Sequence, residues 1–240
     1  MTARVLLVGL GGLGCPAALA LARGGGVTLG LCDDDEVEVT NLHRQILFGE
    51  ADVGSPKVDA AARALRALVP GIELRLHRER LLPDTAARLV RDYDVVLEGS
   101  DNFATKFLAA DACALAGVPV VHAAAVRWVG TALAVGARGA PCYRCLFEDV
   151  PTGDAVPSCA EAGVMGPVVG VVAALQVDLA RALLRGRPVA GQLATFDGRT
   201  EELRRRAVAP RPGCPLCGSA PRIRGIEAAT YASPAACAGA

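Results

Sequence analysis

The sequence predicts an α/β domain built on a doubly wound, mostly parallel sheet, with a smaller β-containing C-terminal extension. Three observations carry that expectation. Short apolar runs alternate with Ala/Leu-rich helical runs over roughly the first 120 residues, the mark of right-handed crossover units with helices on both sheet faces. The strand candidates are runs of Val and Leu closed by turn residues, as buried parallel strands are. Hydrophobic residues make up 52% of the 240, enough for one large core and too many for a disordered chain.

The elements follow in order. Residues 5–8 form an apolar run closed by Gly9, and a helix is expected from 13 to about 23, punctuated by Gly24, Gly25 and Gly26. Residues 27–32 give the next strand, 58–68 a helix ended before Pro70-Gly71, and 73–77 a strand. A helix over 85–91, a strand over 94–97, a helix over 103–116 stopped by Gly117, and a strand over 118–121 complete the nucleotide-binding core, 1–122. Beyond it, 124–137 is expected to hold a pair of strands, 148–163 a loop, 164–184 a long apolar helix, and 193–196 with 201–208 a hairpin. The whole is one domain, 1–221, of which 123–221 is the cysteine-bearing part. The Ala-rich tail from 222 to 240 is expected to be poorly ordered.

Twenty-five basic residues balance 25 acidic ones, which argues against a nucleic-acid or anionic-lipid partner. The apolar stretches are counted as falling short of the roughly 20 residues of a membrane span, and the start shows no cleavable signal. A cytoplasmic protein is expected.

Gly9-Leu10-Gly11-Gly12-Leu13-Gly14 is a G-x-G-x-x-G placed between a strand and a helix. Such a Rossmann-like turn lets backbone approach a phosphate at the positive end of the helix. Asp33, Asp34 and Asp35 follow about 20 residues on, where a carboxylate meets ribose hydroxyls. Alone, this motif specifies a nucleotide, with NAD the usual one. Ser55-Pro56-Lys57 does not supply the Lys-Ser/Thr of a P-loop. Further on come a dense polar patch holding Asn41, Arg44 and Gln45, then Lys57 at a helix start, and Asp101 and Asn102 beyond a strand end, where open sheets bind ligands. Two cations and a carboxylate in one crevice suit a polyphosphate with Mg²⁺, and hydride transfer needs none of them.

Cys142/Cys145 and Cys214/Cys217 are both spaced C-x-x-C and together supply four thiolates, the donor set of a closed tetrahedral zinc site. Zinc there would pin the extension onto the domain; a redox dithiol would need only one pair. Cys159 lies in a polar loop before the long helix, whose N-terminus favours a thiolate. His43, His77 and His122 are expected to be structural.

The chain resembles the ThiF/MoeB/HesA family, relatives of ubiquitin-activating enzymes. The resemblance rests on GLGGLG, DDDEVEVTNLHRQ, GSPK, SDNFATK, both C-x-x-C pairs and SCAEAGVMGPVVGVVAALQ. It implies ATP-dependent adenylation of the C-terminal glycine of a small ubiquitin-like sulfur carrier ending in Gly-Gly, with release of pyrophosphate. It implies that the Gly9, Gly11, Gly12 and Gly14 turn meets phosphate and that Asp33 and Asp35 meet the ribose side. Asn41, Arg44, Gln45 and Lys57 would handle the triphosphate, Asp101 would bind magnesium, and Asn102 joins the cofactor-binding residues. Arg44, Lys57, Asp101 and Cys159 become the candidate catalytic residues, Cys159 because some relatives use the matching cysteine against the activated carrier. The four paired cysteines would hold zinc, and a homodimer is implied.

Family members carry a helical segment before the first strand, with an arginine that reaches the partner subunit's nucleotide; here Met1-Thr2-Ala3 precede Arg4. Lys106 stands where the family has arginine, keeping the charge but not the bidentate fork. With no rhodanese-like domain following, a separate sulfur donor is expected. The alternatives are an NAD-dependent oxidoreductase on the same sheet or a nucleotide-binding scaffold without chemistry.

Overall fold

A computed structural model describes residues 2–150 and 163–231. Its centre is an eight-stranded sheet ordered β3-β2-β1-β4-β5-β6-β7-β8. Strands β1 (Ala3–Val8), β2 (Val27–Cys32), β3 (Glu73–His77), β4 (Val95–Glu98) and β5 (Val120–Val126) pair in parallel. Strands β6 (Val129–Val135), β7 (Gln192–Asp197) and β8 (Glu202–Ala207) continue the sheet antiparallel. The expected doubly wound α/β fold is present, and strand order reverses between β1 and β4.

Helices cover both faces. On one, α1 (Gly14–Gly24), α2 (Lys57–Leu68) and α6 (Gly166–Leu184) bury Leu21, Leu65 and Val172 against Leu7, Leu31 and Ala132. On the other, α3 (Pro83–Arg91), α4 (Phe103–Ala116) and the short α5 (Tyr143–Leu146) bury Leu89, Phe107 and Tyr143 against Leu6, Val96 and Leu133. Being covered twice, β1 and β4 are apolar throughout except at Arg4 and Glu98. By contrast β8, an edge strand, is exposed along its length and carries Arg204, Arg205 and Arg206, which discourage pairing with another edge.

Three expectations are revised. The division after residue 122 falls inside β5, and β6–β8 extend the same sheet, so core and extension share one hydrogen-bonded ladder. Helix α6 is long and apolar enough to cross a membrane, contrary to the sequence count. It instead lies across β4, β5 and β6 and against α1, as the core helix of the domain. The tail assigned from residue 222 is packed as far as Tyr231, which closes a single helical turn and is only 7% exposed.

Tyr231 is held because its hydroxyl donates to Asp111 Oδ2 (2.7 Å) in the middle of α4. Asp111 is fully buried and also accepts two guanidinium nitrogens of Arg144, which sits over the Phe107 ring at 4.8 Å. Tyr231→Phe removes one bond to a buried charge, and a loss of about 1.5–3 kcal/mol is expected in urea unfolding. An unchanged midpoint would show that the Tyr231–Asp111 bond contributes no stability.

Candidate functional site

A cleft of about 390 Å³ opens where β1 and β4 end, at the reversal of strand order. Gly9 follows β1 with φ +90°, and a Cβ there would press on Gly99 and Ser100 backbone at 3.2–3.3 Å. Gly11 and Gly12 line the cleft floor, and α1 begins behind them with no acidic residue in its first turn and no side-chain cap. Its positive end is therefore left for an anion. Gly14 does not line the cleft. A Cβ on it would lie 2.0 Å from the Gly9 carbonyl oxygen, so it serves close helix–strand packing.

Asp33 and Asp35 form one wall. The Asp33 carboxylate accepts the Leu10 amide (2.6 Å) and the Asp35 amide (2.9 Å), and so braces the glycine turn itself. Burial pushes its pKa up, against those bonds. Asp35 Oδ2 receives Lys57 Nζ at 2.7 Å, and the Lys57 amide donates to the Asp35 carbonyl. Lys57 is thus held buried in the cleft wall by its start-of-helix position and one ion pair.

Asn41, Arg44 and Gln45 form the opposite wall. Arg44 Nη2 donates to Asn41 Oδ1 at 2.6 Å, and Asn41 Nδ2 to Glu38 Oε2 at 3.2 Å. A Cβ on Gly12 would lie 3.3 Å from the Arg44 stem, a tight approach that glycine avoids. Gln45 is 2% exposed, and its Oε1 has no partner among the described residues.

Asp101 is exposed at the cleft rim, in the loop from β4 to α4. Asn102 lines the cleft too, but its Oδ1 caps α4 by accepting the Thr105 amide at 2.8 Å. Cys159 lies outside the described residues, as does most of the expected 148–163 loop.

Sequence reading missed the buried cluster beneath this floor. Lys106 does not face the cleft; it is 5% exposed and its Nζ meets Glu98 Oε2 at 2.9 Å and the Ala123 carbonyl at 2.7 Å. His122 Nδ1 also meets Glu98 Oε2, at 3.2 Å. Burial lowers the His122 pKa, so the neutral ring carries its proton on Nδ1, and Nε2 is left without a partner among the described residues. The available signal was a lone carboxylate closing an apolar strand and a lone lysine in an apolar helix.

Burial alone would raise the Glu98 pKa. The Lys106 ammonium and the bonds from His122 and Ser100 outweigh it and hold it at about 2, against 4.5 ordinarily. Since the folded value lies below the unfolded one, this stabilisation is complete above about pH 4.5 and is lost as pH falls through about 2. The urea midpoint should fall across that window. A Glu98→Gln/Lys106→Met protein should show a flatter profile, and identical profiles would refute the assignment.

The four paired cysteines come together at the far side of α4. Cys142 Sγ lies 3.9 Å from Cys145 Sγ and 3.5 Å from Cys214 Sγ, and Cys145 Sγ lies 3.3 Å from Cys217 Sγ. All four sulfurs fall within 4.8 Å of one another. A tetrahedral shell with Zn–S bonds of about 2.3 Å spaces its sulfurs about 3.8 Å apart, so the cluster could bind zinc. The Arg211 amide points at Cys145 Sγ (3.4 Å), a bond that suits a thiolate.

Comparison with known proteins agrees with this arrangement. The family profile described as the ThiF family matches residues 1–216. The sulfur carrier protein adenylyltransferase of Thermus thermophilus is 41% identical over 230 residues, covering 92% of this chain and 84% of that protein. Adenylyltransferase and sulfurtransferase MOCS3 of Sus scrofa is 45% identical over 235 residues, 94% of this chain and 50% of that protein. The chain spans about half the length of the MOCS3 relatives it matches. Among solved structures, E. coli MccB with ATP has a TM-score of 0.77 at 23% identity, over 90% of this chain and 66% of that one, a likeness of fold. The glycine turn, the walls of the cleft, the cysteine pairs and the matched length all agree: the chain belongs to the ThiF family.

Proposed function

We propose that this chain adenylates the C-terminal glycine of a small ubiquitin-like sulfur carrier ending in Gly-Gly, consuming ATP and releasing pyrophosphate. The observation that carries the reading is the convergence of the Gly9–Gly12 turn, Lys57, Arg44 and Asp101 on one cleft. The names of the T. thermophilus and MOCS3 relatives support adenylation. An NAD-dependent hydride transfer would leave Lys57, Arg44 and Asp101 without a task.

In this reading the carrier carboxylate attacks the α-phosphorus in line, the bond to the β-phosphate oxygen breaks, and the acyl-adenylate and pyrophosphate form. The carboxylate is ionised at neutral pH, so no general base is required. Lys57 and Arg44 offset charge that develops on the transferring phosphorus, and their ties to Asp35 and Asn41 hold them ready. Gln45 Oε1, buried and unpaired among the described residues, can accept a hydrogen bond from the nucleotide. Asp33, already bonded to two amides, fixes the turn and keeps lone pairs for a ribose hydroxyl. Asp101 would hold Mg²⁺, which neutralises phosphate charge when bound.

We further infer that Cys142, Cys145, Cys214 and Cys217 hold structural zinc. The protein would work as a cytoplasmic homodimer with a separate sulfur donor, and Cys159 would be the candidate thiol toward the activated carrier; the family resemblance supports these readings. The test is incubation with ATP, Mg²⁺ and a Gly-Gly-ending carrier, followed by mass spectrometry of the carrier. A carrier mass raised by one adenylyl group, removed by added pyrophosphate, is expected. Bound ATP with no adenylyl transfer to any such carrier would overturn the proposal.

A further inference from the structure

Glu98 is fully buried beneath the cleft, and its two oxygens bind different elements. Oε1 accepts both the amide (2.7 Å) and the hydroxyl (2.5 Å) of Ser100, the residue before Asp101. Oε2 accepts Lys106 from α4, and Lys106 also binds the β5 carbonyl of Ala123, beside the cleft-lining Ala124. From α6, Gln176 Nε2 donates to the carbonyls of Glu98 (2.9 Å) and Val121 (2.8 Å). The loop after β4, α4 and, through His122, β5 therefore meet at one carboxylate, while α6 binds the backbone carbonyl of the same residue. Burying Lys106 explains why a carboxylate is needed there. It does not explain why Oε1 is turned to Ser100.

We propose that Glu98 is a positioning residue for adenylation: the two hydrogen bonds it accepts from Ser100, amide and hydroxyl, fix the loop from which Asp101 reaches the magnesium of Mg·ATP. Lys106 and His122 orient the carboxylate for that purpose. The proposal rests on the adenylation reading, in which Asp101 holds the metal. Hydrogen bonds to a carboxylate are short and roughly twice as strong as neutral ones. A misplacement of about 1 Å in a reacting geometry costs on the order of 10²-fold, so a tether one residue from Asp101 matters to turnover.

Ser100→Ala removes the hydroxyl bond to Glu98, together with a long contact to the Asn102 carbonyl (3.5 Å), and leaves the Glu98–Lys106 pair and the Ser100 amide bond in place. Two readouts are taken: the Mg²⁺ dependence of ATP binding by calorimetry without carrier, and kcat in carrier-dependent pyrophosphate exchange. The half-saturating Mg²⁺ concentration should rise roughly tenfold and kcat should fall by a similar factor. Ser100→Thr, which restores the hydroxyl, should restore both. In an Asp101→Ala background, Ser100→Ala should add nothing to either loss. Wild-type Mg²⁺ dependence in Ser100→Ala, or the same extra loss in the Asp101→Ala background, would overturn the positioning role. A wild-type protein that shows no exchange with any carrier would overturn the adenylation reading instead, and the calorimetric result would still decide whether Glu98 positions Asp101.

Discussion

Asp101→Ala is expected to lower carrier-dependent pyrophosphate release by roughly 10²- to 10³-fold, the cost of losing one charge-stabilising group in a site of this kind. The thermal transition should stay within a few tenths of a kcal/mol of the parent, because Asp101 is exposed at the rim. The two readouts together separate loss of chemistry from loss of fold. ATP binding without magnesium should be little changed, since the glycine turn, Lys57 and Arg44 remain. Normal turnover by this variant would remove Asp101 from the metal and with it the proposed division of labour in the cleft.

Cys214→Ala is expected to have the largest effect on stability. It leaves three thiols where a closed tetrahedral site needs four, so zinc content should fall from stoichiometric to near zero. The folding free energy should drop by more than about 4 kcal/mol, because metal binding to such a site is itself folding energy. The reason lies in what the cluster ties together. Arg144 stands between Cys142 and Cys145 and makes the buried ion pair with Asp111 of α4, at 2.9 Å. Arg211, shortly before Cys214, donates to the Arg144 carbonyl and pairs with Glu148. Loss of the metal should therefore also loosen Tyr231, visible as faster amide exchange in 222–231. Unchanged metal content in Cys214→Ala would refute the four-cysteine site.

Much of the core fold was legible because its signals are local. The glycine turn after β1 and Gly117, left-handed and closing α4, are punctuation that sequence displays directly, whereas α3 opens at Pro83, two residues before the expected start. The β5–β6 hairpin was not placed correctly, since the expected pair of strands began at residue 124 while β5 runs on to Val126. Its turn uses Arg127 at φ 53° and Trp128, without the Gly or Asn that such a turn ordinarily shows. The tail was misjudged because its anchor is long-range: an Ala-rich composition says nothing about a tyrosine that finds a buried carboxylate 120 positions earlier. The same holds for Lys106. The sequence shows only a lysine where the family has arginine, and the fold reveals Glu98 beneath it.

The candidate cleft residues, in contrast, came together nearly as a set: the glycine turn, Asp33, Asp35, Lys57, Asp101 and Asn102 sit by strand ends or helix starts, and Asn41, Arg44 and Gln45 close the cleft from the segment between β2 and α2. Among the described candidates only Gly14, a packing glycine, stands outside the lining, and Asn102 spends its side-chain oxygen on a helix cap. The strand ends converge at the reversal of sheet order, so fold and site are one geometric fact.

ATP–pyrophosphate exchange, with small Gly-Gly-ending proteins offered in turn, tests the central claim most directly. Exchange that depends on one carrier and disappears when its terminal glycine is removed is the result predicted here. ATP binding in the cleft with no exchange under any carrier would contradict it, and would leave a nucleotide-binding domain whose chemistry lies elsewhere.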